Sequence, residues 1–152
     1  MDLSNIVPKS DEIEVTLKYP GTQNVLENDD GTPMTITMYA PHTKEYKAVV
    51  YEQANKRIKD GKQEFSIEAW EESSVELLTK ITKSWDITFG GKKPKLTESK
   101  AREVYTHKAG FWITEQLQEG IYTFEAFTQA WVTSYVIGLN TSSLWTRLIV
   151  MA

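Results

Sequence analysis

The sequence predicts an α+β fold, a small N-terminal antiparallel β-sheet or hairpin followed by a mainly α-helical bundle. Three observations lead there. Apolar residues alternate with a period of two near the N-terminus, and they change to three- and four-residue spacing after Pro41. Turn-forming residues stand at each change of period. At 152 residues the chain is long enough to bury one proper core without staples.

Each element follows from local chemistry. Residues 1–12 read as a polar, flexible arm. Ile13, Val15, Leu17 and Tyr19 alternate with Glu14, Thr16 and Lys18, as a half-buried strand requires, and Pro20-Gly21 stops it. Residues 27–33 hold Asp30-Gly31, the favoured two-residue hairpin signal, and a second strand runs from Met34 to Tyr39. After Pro41, Tyr46, Val49, Val50, Ala54 and Ile58 share one helical face. Lys56, Arg57 and Lys59 suit that helix's C-terminal dipole, and Gly61 ends it.

A longer helix is expected from Ser66 to Ser84, with Trp70, Leu77, Leu78, Ile81 and Trp85 as its inner stripe and Glu68, Glu71 and Glu72 near its N-terminal end. Asp86 to Leu96, with Gly90-Gly91 and Pro94, reads as a loop. Thr97 and Glu98 open a helix through Val104 and Tyr105, and Gly110 breaks it. Another helical stretch, Phe111 to Glu119, ends at Gly120. Phe124, Phe127, Trp131 and Tyr135 then repeat at helical steps towards Gly138, and Thr141 to Ala152 is either a short apolar helix or a tail. The expected organisation is thus a 1–12 arm, a 13–62 hairpin plus first helix, a 63–127 bundle packed on it as one domain, and a 128–152 apolar extension.

Composition excludes several classes of function. Cysteine is absent, which removes disulfides, thiolate metal sites and cysteine nucleophiles, and suits a reducing compartment. The N-terminus has no basic region followed by an apolar run, so neither a signal peptide nor a transit peptide is expected. Ala130 to Leu139, the longest apolar stretch, falls short of the roughly 18 residues of a membrane span. Residues 1–76 carry 15 acidic and eight basic side chains and residues 77–152 carry six and nine, a net of −7 against +3. With a pI near 5.3 and no dense basic stripe, nucleic acid is not an expected partner.

Catalytic motifs are missing as well. His42 and His107 stand apart, each better read as a surface or cap histidine than as a metal ligand. Asp29-Asp30 and Glu71-Glu72 diverge on a turn and a helix, where acid–base work needs convergent carboxylates. Gly90-Gly91-Lys92-Lys93-Pro94-Lys95 lacks the spacing of a phosphate-binding loop and reads as a solvated basic loop. No Gly-x-Ser-x-Gly elbow surrounds any serine. A non-enzymatic protein without cofactors is the expectation.

Aromatic density marks the C-terminal third instead. From Gly120 onward the only charged side chains are Glu125 and Arg147. Residues 111–127 fit a core helix pair, whereas the segment beyond them, with Arg147 its one charge, must bury its faces either within the domain or against a partner or a second copy of the chain. Trp112, Trp131, Tyr135, Ile137, Leu139, Leu144, Trp145 and Leu148 are the expected protein-binding side chains, because Trp and Tyr join large apolar area to a polar handle.

The stretch from Ile81 to Gln116 resembles the tail assembly chaperones of long-tailed, siphovirus-type bacteriophages. Trp85, Gly90, Leu96, Thr97, Ala101, Tyr105, Trp112 and Gln116 match that family's pattern of a Trp-containing turn, a Gly-bearing loop, a capped helix reaching a Tyr, and an aromatic-rich final helix. Upstream, Pro41, Thr43, Glu45 and Tyr46 resemble the family's strand-to-helix start. The resemblance spans about residues 30–127. His42 departs from it, and Thr128 to Ala152 has no counterpart in it. It implies a non-enzymatic protein that coats the tape measure protein in the host cell cytoplasm while tail tube subunits assemble, and that is absent from the mature virion. Proteins of that family are often made in a short and a frameshift-extended form. A structural virion subunit, such as a tail-completion or tube-associated protein, is the competing expectation.

Overall fold

The computed structural model describes residues 2–5, 8, 10–61 and 66–128, with backbone alone for Asn5 and residues 125–128. After a 3-10 turn at Leu3–Asn5 come β1 (Glu12–Thr16), β2 (Thr35–Tyr39), α1 (Lys44–Asp60), α2 (Ile67–Ile81), β3 (Thr82–Asp86), α3 (Glu98–Thr106) and α4 (Gly110–Thr128). The strands form one antiparallel sheet in the order β1-β2-β3. Sheet and helices together make the α+β fold that the change of period predicts.

Glu12 pairs with Tyr39 and Thr16 with Thr35, and Ile13, Ile36 and Met38 are buried. The link between β1 and β2 is not the single Asp-Gly turn of the sequence reading. It is two small hairpins. The first turns at Pro20-Gly21, where Thr22 N–H bonds Tyr19 O at 3.1 Å and Gly21 has φ +70°. In the second, Gly31 N–H bonds Asn28 O at 2.9 Å and Asn28 N–H bonds Thr32 O at 2.7 Å. Asp29 and Asp30 are central to that turn, and Gly31, at φ +81°, is the left-handed residue that closes a three-residue loop. The Asn28 side chain is buried and accepts from Thr88 Oγ1 at 2.7 Å, tying the loop to the segment after β3.

α1 begins and ends as expected. Thr43 Oγ1 accepts from Tyr46 N–H and Gly61, at φ +61°, caps the far end. Its apolar face is narrower than the sequence suggests. Val49 is buried and Tyr46 is half-buried, but Val50, Ala54 and Ile58 are exposed. The distal half of α1 meets α2 through polar groups, with Gln53 Nε2 donating to Ser73 O at 2.8 Å and Lys80 Nζ to Glu52 Oε1 at 3.0 Å.

The second helix ends at Ile81, three residues early, and residues 82–86 are strand β3. Trp85 therefore belongs to the sheet and Trp70 is half exposed, so neither is part of a buried helical stripe. The spacing of Ile81 and Trp85 fits a helix, but Thr82 diverts the chain. Its backbone is extended at φ −68° and ψ 116°, and its hydroxyl donates to Leu78 O at 2.6 Å. That proton being used, Tyr105 Oη donates to Thr82 Oγ1 at 2.6 Å. Burial pushes the Tyr105 hydroxyl up to about 12.

Thr97 caps α3 by accepting from Lys100 N–H at 3.1 Å. Gly110 opens α4 where a methyl would stand 2.2 Å from Tyr105 O. α4 then runs unbroken through Gly120, contrary to the expected stop there. Leu117 and Ile121, on either side of that glycine, are buried. Leu17, Ile36, Met38, Leu78, Ile81, Val104 and Leu117 fill one core drawn from sheet and helices alike.

Candidate protein-interaction site

One glycine and two side-chain contacts set α4 against β1 and its flanks. A methyl at Gly120 would lie 2.6 Å from Val15 Cγ2, so the bare backbone lets helix and strand approach closely. One turn earlier, the Gln116 amide spans the main chain of Lys18, accepting from its N–H at 2.9 Å and donating to its carbonyl at 3.0 Å. One turn later, Phe124 stacks on His42 with 5.7 Å between ring centres, and His42 Nε2 pairs with Asp11 Oδ1 at 2.7 Å. Residues ever later in α4 meet residues ever earlier along the β1 segment, so the two run antiparallel.

A groove of about 750 Å³ lies along this seam, between the outer edge of β1 and the α4 residues Trp112, Glu115, Gln116, Glu119 and Phe124. Four glutamates line it: Glu115 and Glu119 stand on α4, whereas Glu12 and Glu14, alternating with Ile13 and Val15, turn their side chains towards the other face of the sheet. Glu12 is paired with Lys83, whereas Glu14, Glu115 and Glu119 make no ion pair among the described residues. Lys18 is the one basic side chain in the lining, and its amine donates to Gln23 at 2.9 Å.

On the other flank of α4 a smaller trough of about 220 Å³ is lined by Tyr46, Trp70, Leu77, Ile121 and Tyr122. Tyr122 is 69% exposed and Trp70 is 48% exposed, so two large aromatic faces lie open beside a buried wall. Phe111 adds a third exposed ring near the start of the helix.

Of the expected binding side chains, Trp112 lines the β1 groove and is half-buried. Trp131, Tyr135, Ile137, Leu139, Leu144, Trp145 and Leu148 lie outside the described residues. Trp70 and Tyr122 are not among the side chains the sequence marks for binding. The spacing of the first suits a buried stripe, and the second follows a glycine that suggests a helix end.

The polar pairs are occupied by local structure. Thr32 donates its hydroxyl and N–H to Asp30 Oδ1 at 2.5 and 3.0 Å, and Lys93 reaches Asp30 Oδ2 at 2.9 Å. These contacts, the Thr32 hydroxyl foremost, hold the Asp30 carboxyl well below its ordinary range. Lys93 also meets Asp86 at 2.8 Å, so the amine of the Gly90-Gly91 loop has two carboxylate partners. His107 Nδ1 accepts from Ala109 N–H at 3.2 Å, and its ring stands at right angles to that of Phe89. Among the described residues no group of three or more His, Asp or Glu is placed to hold a metal ion, and no helix is long and apolar enough to cross a membrane. No family model, curated protein or solved structure matches the chain.

Proposed function

We propose that the chain is a non-enzymatic tail assembly chaperone of a long-tailed bacteriophage. In this role it binds the tape measure protein in the host cell cytoplasm, releases it to the tail tube protein, and is left out of the finished virion. The observation that supports a client-binding role most directly is the open aromatic pair Trp70 and Tyr122 above Leu77 and Ile121. A trough walled by helices and floored by aliphatic side chains suits the apolar face of a client helix. Exposed aromatic rings supply contact area at small entropic cost. The sequence pattern from Ile81 to Gln116 supports the choice of client.

Co-expression with the tape measure protein tests this. The chain should raise the soluble yield of that client, and Trp70→Asp combined with Tyr122→Asp should abolish the gain while circular dichroism stays unchanged. An unaltered yield of soluble client with the unsubstituted chain would refute the proposal. Mass spectrometry of purified particles gives a second check, since stoichiometric presence would replace the chaperone with a structural virion subunit.

A further inference from the structure

We infer that the outer edge of β1 is a strand-addition site for an extended, basic segment of another protein. Hydrogen-bond parity identifies the available groups. Ala40 N–H bonds Asp11 O and Leu17 N–H bonds Met34 O, each at 2.9 Å. Odd-numbered residues of β1 thus turn their main chain towards β2, and Glu12, Glu14 and Thr16 turn theirs outward. The outward N–H of Glu12 bonds Ser10 Oγ at 3.1 Å. Lys18, which has the same parity, gives both its main-chain groups to Gln116. Between these two closures, the N–H and C=O of Glu14 and Thr16 have no partner among the described residues.

Gln116 displays the chemistry that this edge accepts. Its amide offers one acceptor and one donor to a single residue, as a neighbouring strand does at each bonded position. The helix thereby closes the edge at Lys18 and leaves it open at Thr16, beside the groove.

Charge selects the occupant. Glu115 and Glu119 line the groove from α4 without ion pairs among the described residues. An added strand with Lys or Arg at the alternate positions on the α4 side places cations within reach of Glu115 and Glu119, while its aliphatic stems cover Trp112. A second copy pairing through its own β1 about Glu14 would set carboxylate against carboxylate, which disfavours self-association there. The edge lies on the opposite flank of α4 from the Trp70–Tyr122 trough and stands independently of tail assembly.

The test is a titration of the full chain, followed by amide NMR, with the peptide Lys-Val-Lys-Val-Lys-Val-Lys. Two control peptides accompany it, one with Glu in place of Lys and one N-methylated at every internal amide. Saturable shifts and slowed exchange at the Glu14 and Thr16 amides are expected with the first peptide alone. Glu115→Lys with Glu119→Lys, at exposed positions, should weaken its binding at least about tenfold at low salt. Several outcomes overturn the inference: no saturable binding, equal binding of the N-methylated peptide, equal binding of the Glu peptide, or a chain dimer that protects the same two amides.

Discussion

Gly120 shows how one residue can mislead a sequence reading and still be decisive. In a solvent-facing helix a glycine costs about 1 kcal/mol relative to alanine, which is why it reads as a stop. Here it allows α4 to meet Val15, a β-branched side chain stiff at χ1. Gly120→Ala should therefore destabilise the fold by about 1–3 kcal/mol despite its better helix propensity. Adding Val15→Ala to Gly120→Ala should remove the clash, and chemical denaturation of the single and double variants measures the coupling.

Asp30 carries the clearest pH signature. Its folded carboxyl titrates below the ordinary 3.8 because of Thr32 and Lys93. A depressed folded value means that its stabilisation is fully present above the unfolded value and disappears as pH falls through the folded one. The side chain is solvent-exposed, so screening keeps its weight small. A carboxyl NMR titration should place the Asp30 midpoint below 3.8, and Lys93→Met should move it upward.

At the scale of elements, the two long stretches of regular period were legible and their junctions were not. The strands β1 and β2 and the capped helices α1 and α3 follow from alternation, Thr43, Gly61 and Thr97. β3 was hidden because five residues with one half-buried tryptophan give no alternation to read, and Ile81 and Trp85 imitate a helical repeat. What makes the strand is tertiary: an open β2 edge and a threonine whose hydroxyl is shared between Leu78 and Tyr105. Thr82→Val keeps the shape but strands the Tyr105 hydroxyl, and should cost about 1–3 kcal/mol in a denaturant melt. Tyr105→Phe should then cost much less when combined with Thr82→Val than it does in the original chain.

For the whole molecule, the separation of acidic and basic halves foretold surface charge but not its placement. The β1 edge lies in the first half of the chain and Glu115 and Glu119 lie in the second, and only the crossing of α4 over β1 brings them to one groove. Gln116 was visible as a motif residue, yet no spacing could reveal that its amide meets Lys18, 98 positions away. Trp112 was legible because an aromatic ring near a helix start stands out in any reading.

The direct passage from α2 into β3 has a consequence for how the molecule comes apart. With no linking loop between Ile81 and Thr82, α2 can neither rotate nor slide along its axis without breaking the ladder between β2 and β3. Helix and sheet are thus geared together, and partial opening of one without the other is denied. The N-terminal β-layer and the second helix are therefore expected to melt as a single cooperative unit.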